Sequence, residues 1–278
     1  MSPEIERRIE VTGRAPDFVR MWFGPEAVRR GAHRAFVGGK WEPLGKLQLD
    51  FLTTMGLRPT DTLLDVGCGP LRAGRRFIDY LQPGHYYGID ASRALIRAGY
   101  DAELTAEQRV RTPAGNLRAS DRFDADFGVR FDMAIAQSLF PNLSLNQIRL
   151  CLSRVAQAIK PGGRFYASFF EAPDDTELDA ILPGSGRRRQ LSERQVFWYY
   201  REDLNWASRF GPWRYRYVGD WHHPAGQKMV EFTRLAHRVG GAPMQQISPA
   251  TRRLPPKLQR LVTHGRRSLA ARLDPDVA

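Results

Sequence analysis

A chain of 278 residues, 42% hydrophobic and 26% charged, agrees with one α/β-sized domain plus extensions and shows no domain-scale linker. Its two cysteines, Cys68 and Cys151, argue against a disulfide framework, and no apolar run approaches the length of a membrane span. The formal net charge of +12 rests on arginine, 37 of the 42 basic residues; such a bias fits a broadly basic surface as well as a nucleic-acid partner.

The stretch Met1 to Lys40 reads as helical and nearly balanced in charge. Its first ten residues are charged and lack an apolar core of signal length, so a cytoplasmic protein is expected. A helix over Leu44 to Met55, apolar at 44, 47, 51, 52 and 55, is expected to pack against a sheet. Thr62 to Val66 then forms a buried strand that runs into Gly67-Cys68-Gly69. Glycine at 67 and 69 lets backbone amides approach a ligand closely. Dinucleotide binders want a third glycine three residues later, where Arg72 stands. Asp65 puts a negative charge where a phosphate binder wants none and suits a cationic amino acid. Leu71, Gly74, Phe77, Ile78 and Leu81 fall on one helical stripe, and Tyr86 to Asp90 gives a second strand ending in a carboxylate.

A third strand is weakly marked, ending near Asp121 and interrupted by Pro113-Ala114-Gly115. The fourth, from Phe131, ends at Gln137 and Ser138. Ser144 with Gln147 is a capping box opening a helix whose apolar stripe runs Leu145, Ile148, Leu152, Val155 and Ile159. Lys160-Pro161-Gly162-Gly163 turns into a fifth strand, Arg164 to Phe170. Beyond it stand two candidate bases, Glu171 and Asp174, and then Arg187-Arg188-Arg189 and Phe197-Trp198-Tyr199-Tyr200, a cationic loop beside aromatics that suits an anionic or aromatic ligand. Trp213 to Val218 and Gln227 to Leu235 read as an antiparallel pair. Their connection holds His222 and His223, whose ordinary titration range suits a general base; the alternative is a histidine that fixes the loop. Six histidines without a second ligand at metal-like spacing give no metal site. From His237 onward eight basic residues face Asp274 and Asp276, which places half of the net charge there. A helix over Lys257 to Leu273, broken by Gly265, is expected to dock or stay disordered rather than bind a membrane or nucleic acid.

Taken in order, Asp65-x-Gly67-x-Gly69, Asp90, Gln137 and the Lys-Pro-Gly-Gly turn resemble the class I S-adenosylmethionine-dependent methyltransferases, over roughly Leu44 to Arg234. The resemblance implies a Rossmann-like, doubly wound α/β fold: seven strands, mostly parallel with an antiparallel last strand, and helices on both faces. It divides the chain into an N-terminal helical cap (1–58), a cofactor-binding methyltransferase domain (59–236) and a basic extension (237–278). It implies S-adenosylmethionine as cofactor, held by Asp65, Gly67 and Gly69 at the methionine part and by Asp90 at the ribose hydroxyls, with Cys68 also among the cofactor-binding residues. Asp121 would accept from the adenine amino group, with Gln137 and Ser138 facing the cofactor. The loop Asp220-Trp221-His222-His223-Pro224 resembles an Asp-Trp-Gly-His-Pro run of a bacterial subgroup, with His222 in place of its glycine. That match favours His223 as the catalytic candidate, alongside Glu171.

Three functions follow. The first is methyl transfer to an oxygen or nitrogen of a small-molecule acceptor, anionic or aromatic. The second is an RNA or DNA methyltransferase using the basic tail, less favoured because Ala136-Gln137-Ser138-Leu139 replaces the Asn-Pro-Pro-Tyr type of motif. The third is a non-catalytic S-adenosylmethionine-binding protein. The acceptor and the oligomeric state are not legible.

Overall fold

The computed structural model describes residues 23–172 and 196–236, which belong to one compact unit. Asp174, Arg187 to Arg189 and the basic tail lie outside the described residues.

Among the described residues three helices precede the sheet: α1 (Pro25–Arg29), α2 (Ala32–Phe36) and α3 (Trp41–Thr54). The apolar run Leu63–Val66 forms β1, buried along its whole length, as expected of a parallel strand covered on both faces. Then follow α4 (Gly74–Tyr80), β2 (Tyr86–Asp90), α5 (Arg93–Ala102), α6 (Ala106–Arg111) and β3 (Leu117–Ala119). The second half contains β4 (Phe131–Ala136), α7 (Leu145–Ala158), β5 (Ile159–Glu171), β6 (Trp198–Tyr199), α8 (Arg201–Ser208), β7 (Trp213–Asp220) and β8 (Lys228–Arg234).

The sheet order is β3-β2-β1-β4-β5-β8-β7. β8 runs antiparallel to both its neighbours, and the other pairings are parallel. Among the described residues this path has the seven strands expected, and the two-residue β6 is added off it, paired with the end of β5. Alternation divides the core between the two faces. Leu63, Met133 and Ile135 meet Phe51, Phe77 and Ile78 on one side, while Leu64, Val66 and Ala134 meet Ile148, Leu152 and Val155 on the other. The capping box at Ser144 and Gln147 is present, and it fixes where α7 starts.

Chain order reverses between β1 and β4, and in a doubly wound sheet the crevice above such a switch point is where ligands bind. α2 is held beside it by a buried cluster. His33 Nε2 lies 2.6 Å from Glu103 Oε1, and Arg34 donates two bonds of 2.7 Å to the same carboxylate.

Candidate active site

The turn after β1 is stapled to β2, since the amides of Gly67 and Cys68 both donate to the Ile89 carbonyl, at 2.7 and 3.0 Å. Gly67 (φ 79°) and Gly69 (φ 52°) occupy the left-handed region, which a side chain would strain. Asp90 reads out the turn it faces: Oδ2 accepts from the Gly69 amide at 2.9 Å and Oδ1 from the Ser92 amide at 2.7 Å. Each oxygen keeps a lone pair for a ligand. Burial pushes the Asp90 carboxyl up, against the two amides. Asp65, 4% exposed, accepts a 2.9 Å bond from Tyr86 Oη and has no ion-pair contact among the described residues. Burial pushes its carboxyl up to about 7, with the Asp90 charge adding to the rise, while Tyr86 and Arg72 oppose it.

Above the turn opens a cavity of about 540 Å³. Asp65, Gly67, Cys68 and Gly69 border it from the first strand and its turn. Asp90, Asp121, Gln137 and Ser138 border it from the ends of β2, β3 and β4. His223 enters from the β7–β8 connection. The eight residues expected to hold a cofactor therefore surround one space.

Glu171 is placed elsewhere. It accepts from Arg201 Nε at 2.8 Å and from Tyr217 Oη, and it does not border the cavity, whereas its neighbour Phe170 does. One step along a strand reverses the face, so Glu171 ends up bracing β5 against α8 and β7.

Residues that the sequence reading left out complete the far end of the cavity. Arg72, 8% exposed, donates through Nη1 to the carbonyls of Val37 (3.0 Å) and Gly39 (3.1 Å), and through Nη2 to Gln137 Oε1 at 2.6 Å. The Gln137 amide nitrogen lies 3.1 Å from His223 Nε2, and the Ala225 amide donates to His223 Nδ1 at 3.2 Å. Ser168 Oγ donates to Gln227 Oε1 at 2.7 Å, and Gln227 Nε2 donates to Ser138 Oγ at 2.9 Å. Burial lowers His223 to about 4, helped by the charges of Arg72 and Lys40, so it is neutral at pH 7.

His222 takes φ 64°, a conformation natural for the glycine of the resembled loop, and its amide is tied to Asp220 Oδ1 at 3.1 Å. Backbone strain gathers here generally. Among the described residues the non-glycines at positive φ are Lys40, Leu71, Phe123, Ser138 and His222, each bordering the cavity or next in the chain to a residue that does. No group of three His, Cys, Asp or Glu among the described residues is placed to hold a metal ion.

This fold, with this glycine turn, the buried Asp65 and the half-buried Asp90 at the switch point, is that of a class I methyltransferase domain. Residues 64–165 match the family model described as a methyltransferase domain, so that stretch of the chain is a methyltransferase domain. A curated relative is the 18S rRNA (guanine(1575)-N(7))-methyltransferase of Saccharomyces cerevisiae, 28% identical over 144 residues, covering 49% of this chain and 50% of that one. The chain thus matches about half the length of that relative. Among solved structures, an S-adenosylmethionine-bound amino pentose methyltransferase from Micromonospora echinaspora is 20% identical at a TM-score of 0.52, over 77% of this chain and 98% of that one. A sugar N-methyltransferase from Streptoalloteichus is 17% identical at a TM-score of 0.53, over 81% and 96%.

Proposed function

We propose that the chain is an S-adenosylmethionine-dependent methyltransferase that transfers a methyl group to an oxygen or nitrogen of a small-molecule acceptor. The observation that carries this is Asp65: a buried carboxylate with no ion-pair contact among the described residues, bordering a cavity that the glycine turn and Asp90 also border. A cationic amino acid group at Asp65 and a ribose at Asp90 fit that donor set, and Asp121 at the rim suits the adenine amino group. When bound, S-adenosylmethionine supplies a methyl group activated by positive sulfur.

The chain's own residues hold the partners in line, because most of such a rate gain comes from reacting atoms kept about 3–3.5 Å apart. His223 is the candidate base where the acceptor carries a proton, and to take it the ring must give up the bond that Nδ1 accepts from the Ala225 amide. Its low proton affinity makes it a modest base, so His223→Ala should lower kcat by about 10²-fold, the lower end of the usual range, with S-adenosylhomocysteine affinity unchanged. With S-adenosylmethionine saturating, the acid limb of the wild-type kcat profile should lie near 4 rather than near 6.5. A limb left unmoved by the substitution would assign His223 to the loop alone.

Calorimetry with S-adenosylhomocysteine tests the cofactor half of the proposal. Asp90→Ala should weaken binding by about 2 kcal/mol, through two lost charge-assisted bonds to the ribose. Unchanged affinity removes Asp90 from the site.

The yeast relative and the basic composition favour a second reading, methylation of RNA. Binding to RNA that falls steeply with salt, at the protein concentrations used for turnover, would select it. Absence of turnover on either class of acceptor would leave a non-catalytic cofactor binder.

A further inference from the structure

Charge is unevenly distributed around the cavity. Its three bordering carboxylates, Asp65, Asp90 and Asp121, all come from the ends of β1, β2 and β3, the part read above as the cofactor's. Among the described residues, the border contributed by α2, α3, β4 and the β7–β8 connection holds no carboxylate. It holds Lys40, and Arg72, from the turn after β1, reaches across to it through the Val37 and Gly39 carbonyls and Gln137.

Both cations have unspent donors. The Lys40 ammonium has no hydrogen-bond or ion-pair partner among the described residues, although the residue is held at φ 46° as the N-cap of α3. Among the described residues Arg72 makes no ion pair: its Nη atoms go to two carbonyls and one amide, and its buried Nε has no partner there. The bond to the Gly39 carbonyl fixes the guanidinium beside the backbone of the residue preceding Lys40. α3 itself starts there with no side chain capping its first turn, so its partial positive charge adds to the two cations. A buried, unpaired guanidinium is costly unless something anionic completes it.

Apolar groups complete this border: Phe36, Leu139, Pro141, Phe170 and Val196. We infer that Lys40 and Arg72 form a carboxylate-binding subsite beyond the cofactor, and that the acceptor is an apolar organic acid. The inference rests on the methyltransferase reading. An ammonium-bearing acceptor would find no counter-ion at this end and would meet two positive charges.

The test uses the full chain saturated with S-adenosylhomocysteine and three probes of one shape and different charge: benzoate, benzamide and benzylamine. Benzoate should bind about tenfold tighter than benzamide, and benzylamine weakest. Lys40→Gly, which removes the ammonium while suiting the left-handed backbone, should abolish most of the preference for benzoate and leave benzamide and S-adenosylhomocysteine affinity unchanged. No binding of benzoate, equal binding of the three probes, or a preference for benzylamine overturns the subsite. Loss of S-adenosylhomocysteine affinity in Lys40→Gly, with the benzoate preference intact, also overturns it and reassigns the cation to the cofactor's own carboxylate. Failure of S-adenosylhomocysteine to bind wild-type protein would instead strike the methyltransferase reading itself.

Discussion

Asp65→Asn should weaken S-adenosylhomocysteine binding at pH 8 by about 3 kcal/mol or more, while making the empty protein more stable. Two opposite signs from one atom replacement follow from where the carboxyl sits. It is 4% exposed, and in the folded empty protein burial pushes it up to about 7 from an ordinary 3.8. The unfolded chain therefore releases this proton near pH 4, whereas the folded one retains it until about 7. Stability from this group is present in full below pH 4 and is lost as pH rises to 7, a difference on the order of 4 kcal/mol at most. Asparagine keeps the shape and can still accept from Tyr86, yet carries no charge to desolvate. Its melting temperature should exceed that of the wild type at pH 8, and the gap should close by pH 4.

Binding runs the other way. The ligand's ammonium needs the ionised carboxylate, so wild-type affinity should rise about tenfold per pH unit up to pH 7 and level off above it. In the variant the ammonium is buried against a neutral amide, which costs what breaking a buried ion pair costs, about 3–5 kcal/mol, and the pH dependence should vanish. Calorimetry across pH 5.5–8.5 with melting curves at the same pH values checks both. An unchanged affinity, or a pH-independent wild type, would put the ammonium elsewhere.

What the sequence revealed and what it hid divide along a physical line. β1, β2, β4 and the β7–β8 pair were legible because each is a run bounded by turn residues, and α7 because its capping box and its stripe agree. β3 has three residues, none fully buried, at a sheet edge, and β6 has two, so neither leaves a period to read. In the site, Asp65 and the glycine turn were readable because neighbouring residues act together. Arg72, Gln137, His223 and Gln227 come from four segments whose hydrogen bonds no spacing encodes. Arg72 was visible only as the wrong residue for a dinucleotide motif. Glu171 was misplaced by the smallest error a strand allows, a single residue, which sends the side chain to the other face.

Gly99→Ala should destabilise the protein by about 3 kcal/mol and weaken S-adenosylhomocysteine binding more than tenfold, though residue 99 does not border the cavity. In the interior of a helix this exchange ordinarily stabilises, by about 1 kcal/mol. On α5, however, a β-carbon at 99 would lie 2.5 Å from the Pro70 carbonyl carbon, 2.6 Å from its oxygen and 2.8 Å from its Cα. All three are backbone atoms, so no side chain can rotate away. Either α5 or the glycine turn must retreat. The turn is tied to Ile89 and Asp90 through the amides of Gly67, Cys68 and Gly69, so its retreat breaks the cradle that Asp90 reads out. Gly115→Ala is the control, because a β-carbon there meets nothing within 4 Å, and it should stay within about 0.5 kcal/mol of the wild type. If Gly99→Ala melted with the control and bound ligand normally, the close packing of α5 on the turn would be refuted, and with it the account of how Gly69 and Asp90 are held in register.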